Sequence, residues 1–335
     1  MTVKGKMAKR AGLLAMIAVL LALPFTATAY HQQFAAKILI MAVLAIALNL
    51  AAGFGGLVSL CHAAFFGLGG YTLALASPQY EAASLWTTLP LAAGVSALAA
   101  LVIGALSLKT RGVYFIMVTL AFGEMLFSYF HDTGIAGGSD GAFIYVKPSV
   151  SAFGFVADLD NVRVFYFAAL IVFALAMITV WQFVRSPLGH ALVAARDNEH
   201  RARSLGFPVF RVRLTAFVTS GAIAGVAGYF NAAQFGFVAP EMLGWHLSAT
   251  VLVMVVLGGM DTVAAPALGA LAILGMEEVL KAWTQHWKFI EGSLIILLVI
   301  LFPGGLRQLV RMAAKDLSFE RGNPARNAAR EVHRA

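Results

Sequence analysis

Charge is scarce in this sequence: of its 335 residues only 12% are Asp, Glu, Lys or Arg, about half the share of a soluble domain. A water-facing surface cannot be built for a chain of this size from so little charge, so an ordinary soluble globular protein is excluded. Cysteine is almost missing as well. The single Cys61 rules out an intramolecular disulfide and a cysteine-rich metal site. There is no GxxxxGK[ST] phosphate loop, so the chain does not hold ATP through that motif, and there is no HExxH. The eight histidines are scattered, and His62, His131 and His246 show no metal-ligand spacing. Neither a nucleophile paired with a base nor a metal cluster is visible, which argues against an intramembrane hydrolase.

What the chain has in plenty is apolar sequence, 60% of its residues. It comes in long runs, not in the alternating ten-residue segments of a membrane barrel. Backbone groups in lipid must be paired internally, so the pattern predicts an all-α polytopic membrane protein. Runs of about 20 apolar residues give ten expected spans: 12–29, 35–52, 58–77, 85–107, 113–130, 164–184, 214–235, 246–260, 263–280 and 289–303. Segment 1–11 is then an N-terminal arm, 12–303 the membrane domain and 304–335 a basic tail suited to anionic headgroups.

The net charge of +8 does not form the stripe that a nucleic acid would need. Nineteen of the 24 Lys and Arg residues fall on the amino-terminal side of the ten spans. By the positive-inside rule both termini are cytoplasmic. The first span also reads as a signal peptide, with a basic start, an apolar stretch to Phe25 and small residues before Tyr30. Retention of that span is the reading adopted, since a polytopic protein can use it for targeting.

Two polar segments interrupt the spans. The outer one, 131–163, holds Gly134, Gly137, Gly138, Ser139, Asp140 and Gly141, a turn-rich run that folds back, receives an external partner or serves as a flexible connector. The inner one, 185–213, predicts two short helices. Ser186 caps the first and Pro187 opens it, with Leu188, Leu192 and Ala195 on one face. Asn198 caps the second, and Gly206 and Pro208 stop it. Such an element is a stiff connector or a docking surface.

Within the spans, Glu124 lies twelve residues after Gly112, about 18 Å along a helix and so near the middle of a hydrocarbon core of roughly 30 Å. A carboxylate there costs about 2.5–3.5 kcal/mol on insertion scales, which marks either a pathway or a hydrogen-bonded structural acid. Ser59 and His62 sit among Gly53, Gly55, Gly56, Gly67, Gly69 and Gly70, a pattern that fits a broken helix or close packing. Gly221 and Gly225 read as a packing pair. Asn49, Asn231 and Gln234 are further pathway candidates, with helix–helix ties as the plainer alternative.

Four stretches are together specific: ALNLAAGFGGLVSLCHAAFFGLGGY (47–71), TRGVYFIMVTLAFGEML (110–126), SPLGHALVAARDNEHRARSLGFPVFRVRLTAF (186–217) and VLGGMDTVAAPALGA (256–270). In order and spacing they resemble the permease subunits of branched-chain amino-acid ABC importers. The resemblance implies a type II ABC importer-like bundle of about ten helices with an inverted repeat, in a bacterial cytoplasmic membrane. It implies a second homologous permease, two cytoplasmic ATP-binding subunits that hold ATP and Mg, and a solute-binding protein outside; this subunit itself binds no cofactor. It also implies that Arg196, Asp197, Asn198, Glu199 and Gly206 belong to a loop that docks on the ATPase. The chain departs from the pattern at Cys61, where glycine is usual, and at Arg201 and Arg203, where small and acidic residues are common. Similar permeases carry urea, amides or other small organic solutes. A secondary transporter would keep several ionisable groups near the midplane, where Glu124 stands almost alone.

Overall fold

The computed structural model describes residues 20–301 apart from 79, 153, 154 and 261, together with 305 and 306. The N-terminal arm, the start of the first expected span with its signal-peptide alternative, and most of the basic tail lie outside the described residues.

Helical residues 20–26 precede α1 (Ala29–Asn49), which runs on into a π turn (Leu50–Phe54). Then come α2 (His62–Ala76), α3 (Leu85–Ser107), α4 (Val113–Asp132) and α5 (Val162–Arg185). Two short helices, α6 (Pro187–Asp197) and α7 (Glu199–Ser204), lead to α8 (Val209–Phe235). There follow α9 (Trp245–Gly258), α10 (Ala265–Trp283) and α11 (Trp287–Leu301). Five of these, Ala29–Phe54, α3, α4, α5 and α8, are long and apolar enough to cross a membrane, while α9 is apolar but shorter at 14 residues.

The caps explain the helix starts. Asn161 accepts from the Arg163 backbone N–H, Ser186 from Gly189 and Asn198 from Arg201, each filling an orphan donor of a first turn. The arrangement of the helices follows from where small residues lie. α8 packs along α2, α3 and α1, and its glycines set the distance: a Cβ on Gly228 would stand 1.7 Å from the Phe66 carbonyl oxygen, and one on Gly225 would stand 2.1 Å from Ser96 Oγ. This is the close-approach use of small residues in membrane bundles. The C-terminal half of α1 is buried on all sides, whereas α3, α4 and α5 expose Leu98, Val102, Met117, Met125, Ile171 and Leu175, the apolar exterior that lipid requires.

The fold is mostly helical, yet the described residues include four short strands that the all-α expectation omitted. β1 (Ala142–Phe143) pairs antiparallel with β4 (Phe237–Val238), and β2 (Ser149–Ala152) pairs antiparallel with β3 (Phe155–Asp158). The start of the polar segment between α4 and α5 is therefore folded back and held, as the turn-rich reading allowed. It folds back through a 3-10 turn (Ile135–Asp140) and is fastened to the end of α8 by the β1–β4 pair and by Ile144 N–H on the Gly236 carbonyl.

Candidate functional site

Between the π turn and His62 the backbone leaves helical geometry, so the expected span 58–77 begins four residues late, after a non-helical stretch over 55–61. Backbone at such a break loses its intrahelical partners, and in a membrane bundle neighbouring side chains must replace them. They do so from two helices and from the break itself. Thr119 of α4 accepts from the Leu60 N–H at 3.3 Å, Ser248 of α9 accepts from the Ala63 N–H at 2.9 Å, and Ser59 Oγ accepts from the Cys61 N–H at 3.3 Å.

His62 continues this network. Its Nε2 lies 2.7 Å from Ser220 Oγ, and the Ser220 hydroxyl donates to the Ala47 carbonyl at 2.6 Å. With its proton committed to Ala47, Ser220 accepts from Nε2–H, which leaves Nδ1 as the acceptor facing Ser59 Oγ at 3.3 Å. Ser59, His62 and Ser220 are fully buried. Of the pathway candidates, the structure thus joins Ser59 to His62 and adds Ser220, Ser248 and Thr119, which the sequence reading missed. No sequence signal marks them, because a hydroxyl in an apolar helix ordinarily bonds its own i−4 carbonyl.

The other candidates sit apart. Asn49 donates to the Thr262 carbonyl at 3.0 Å and so ties the end of α1 to the turn before α10. Gln234 donates to the Gln33 carbonyl at 2.7 Å, fastening the end of α8 to the start of α1. Asn231 lies 4.0 Å from the Met242 sulfur. Glu124 is half-buried and accepts from the backbone N–H of Trp245, the first residue of α9, at 3.3 Å. A carboxylate in that position satisfies an orphan donor and meets the positive end of the helix dipole. Among the described residues no hydrogen bond connects Glu124 to Ser59 or His62.

The inner loop is as helical as expected, and a small apolar cluster of Ala195, Ala202 and Val209 holds it together. Gly206 closes α7 at φ +84, with its N–H on the Arg203 carbonyl; glycine adopts that left-handed backbone without strain. Two details differ from expectation. Leu188 is exposed, and Gly189 and Ala191 join Leu192 and Ala195 on the buried face instead. Glu199 turns inward. Its carboxylate bonds Arg213 and Arg111 at 3.0 Å each, and also Arg203, with only 15% of its side chain exposed. Burial pushes its pKa up, but Arg213, Arg111 and Arg203 outweigh that and hold the carboxyl below the usual carboxylate range. Arg196 reaches inward as well, donating to the Gly53 carbonyl in the π turn. Asp197 and Asn198 face solvent, and the exposed surface of the loop includes Leu205, Phe207, Phe210, Arg201, Arg203 and Arg211, with Arg196 also partly exposed. A cleft of about 190 Å³ lies between this loop and the break, lined by Gly56, Val58, Arg111, Phe115, Glu199 and Arg213.

An apolar-surfaced helical bundle with a hydroxyl-served break in its interior, and a charged loop braced against that break, defines a multi-pass membrane protein. The chain belongs to the family of branched-chain amino acid transport system permease components, whose match covers residues 30–302. Among its relatives, the high-affinity branched-chain amino acid transport system permease protein LivM of Salmonella typhimurium is 34% identical over 323 residues, covering 90% of this chain and 76% of that protein. LivM of Escherichia coli is 34% identical over the same length and shares. The autoinducer 2 import system permease protein LsrC of Klebsiella pneumoniae is 32% identical over 175 residues, 49% of this chain and 50% of that protein. No solved structure matches the chain.

Proposed function

We propose that this chain is the permease subunit of an ATP-driven ABC importer and forms, with a second homologous permease, the membrane pathway for branched-chain amino acids. The observation that carries this reading is the likeness to LivM across 90% of the chain, where the likeness to LsrC spans half of it. In this reading two cytoplasmic subunits bind ATP and Mg and hydrolyse the nucleotide, and a solute-binding protein delivers the amino acid from outside. The bundle has about ten spans arranged as an inverted repeat in the bacterial cytoplasmic membrane, with both termini cytoplasmic, segment 131–163 outside and loop 185–213 inside.

The loop then docks on an ATP-binding subunit. Its contact surface is the exposed apolar set Leu205, Phe207 and Phe210 with the basic residues around it, while Glu199, bonded to three arginines, braces the loop from within. Glu124 lies beside the pathway, where a carboxylate suits the ammonium group of an amino acid, and a neutral sugar-like solute would have no use for that charge. Asn49 and Gln234 tie the two ends of α1 to neighbouring elements, Asn231 is kept as a pathway candidate beside Met242, and Ser59 and His62 belong to the break that gates the inner end.

The test is complementation. A bacterial strain stripped of its own branched-chain importers should regain leucine uptake when this chain is expressed with its neighbouring permease, ATPase and binding-protein genes. Uptake of leucine that does not depend on this chain would refute the reading.

A further inference from the structure

In an uninterrupted α-helix the Gly53 carbonyl would accept from the N–H of residue 57. Here the Leu57 N–H reaches back to the Ala51 carbonyl at 2.9 Å, and Gly53 is buried. Its carbonyl is filled from outside the helix, by Arg196 Nη1. The contact is more than one hydrogen bond. The stem of Arg196 lies over Gly56, where a Cβ would stand 2.9 Å from Arg196 Cγ, and Leu192 of the same helix lies 3.4 Å from where a Cβ would stand on Gly55. One turn of α6 therefore packs against both Gly55 and Gly56 at the start of the break.

The loop that carries Arg196 is itself rigidly held. Arg213 Nη2 donates to the Ala195 carbonyl at 3.1 Å, and Glu199 bonds Arg213 at the start of α8 and Arg111 just before α4. A hydrogen bond works over a range of about 2.7–3.2 Å, so a shift of the loop by an ångström moves the Gly53 peptide or breaks the bond. The chain runs from Gly53 through Gly56, which borders the cleft between loop and break, to Ser59 and His62.

We propose that Arg196 is a positioning residue for transport: it carries movement of the loop to the break between α1 and α2, so that Gly53–Cys61 opens and closes with the loop. The proposal rests on the reading of the chain as an ABC permease subunit, and it separates Arg196, whose guanidinium bonds the Gly53 carbonyl while its Nε lies 3.7 Å from Asp197, from the residues that face the ATPase.

The experiment uses the full complex in proteoliposomes, with Arg196→Gln and Arg196→Lys beside the unaltered chain. Leucine taken up per ATP hydrolysed should fall at least tenfold in Arg196→Gln, and Arg196→Lys, which keeps a cationic donor, should recover at least threefold over it. An unchanged ratio, whether both rates stay normal or both fall together, overturns the proposal; a joint fall would assign Arg196 to docking. Cys61, the chain's only cysteine and fully buried at the end of the break, gives a readout that needs no transport. Its alkylation by a maleimide in the purified permease should quicken at least tenfold in Arg196→Gln, and equal rates would overturn the proposal even in a complex that imports nothing. Absence of ATP-driven uptake by the unaltered complex would instead strike the functional reading on which the proposal rests.

Discussion

Glu199→Gln removes one charge and keeps the shape of the side chain, which isolates the brace inside the cytoplasmic loop. The largest loss is the charged hydrogen bond to Arg213, 3.0 Å long, with 17% of the Arg213 side chain exposed; a hydrogen bond to a charged group contributes about 2 kcal/mol. The pairs with Arg111 and Arg203 involve partners 61% and 57% exposed, so each is screened and contributes about 0.5 kcal/mol. Arg213 keeps its bond to the Ala195 carbonyl, which limits the damage. The sum, about 3 kcal/mol, corresponds to about a 100-fold rise in the population of the opened loop. Trypsin cleavage after Arg201 and Arg203 in detergent reads that population when reclosing outpaces cleavage. Arg111→Ala, which breaks only a screened pair, should raise cleavage about twofold by the same reasoning. A change below about threefold for Glu199→Gln would refute the claim that Glu199 braces the loop, because it would mean the Arg213 bond contributes less than about 1 kcal/mol.

Three further outcomes are expected. Gly228→Ala sets a Cβ 1.7 Å from a backbone oxygen that no side-chain rotation can move, so it should cost about 3 kcal/mol or more and lower the thermal midpoint of the purified protein; Gly94→Ala, which meets nothing within 4 Å, should leave it unchanged. Because the Glu199 pKa is lowered in the folded loop, its contribution is fully present above the ordinary value of 4.5 and is lost as pH falls through the folded value below that. Hydrogen exchange of the α7 amides, corrected for intrinsic rates, should therefore show constant opening between about pH 5 and 8 and more opening at lower pH. Glu124→Gln keeps an acceptor for the Trp245 N–H and should fold normally while leucine uptake falls at least about tenfold, the effect of about 1.4 kcal/mol; normal uptake would return Glu124 to a purely structural role.

Much of the bundle was legible because lipid leaves few options: an apolar run of adequate length must be a helix. The expected span 85–107 coincides with α3, and Ser186, Asn198 and Gly206 cap and end the loop helices as their chemistry predicts. Gly221 and Gly225 proved to be packing positions, held against Ala100 and Ser96. The break in α1 and α2 was only half visible. Its glycines showed, but its start did not, since Leu50–Phe54 is as apolar as the helix before it and a π turn leaves no mark on such a run. The partners of the break were hidden for a different reason. Thr119, Ser220 and Ser248 come from helices remote in sequence, and only the fold brings their hydroxyls to Leu60, His62 and Ala63. Distance in sequence also concealed the inward turn of Glu199, whose partner Arg111 lies 88 residues earlier; a charge on a polar loop faces water unless such a partner exists. The short pairing of β1 with β4 has too few residues to show any alternation.

The most direct test of the whole account is leucine uptake into proteoliposomes that contain this chain, its homologous permease partner and both ATP-binding subunits, with loaded binding protein outside the vesicle and ATP within. The account predicts accumulation against a gradient that requires hydrolysable ATP, the binding protein and this chain together, and that is abolished when any one of them is omitted. Equal accumulation without ATP under an imposed ion gradient would contradict it and make the chain a secondary transporter.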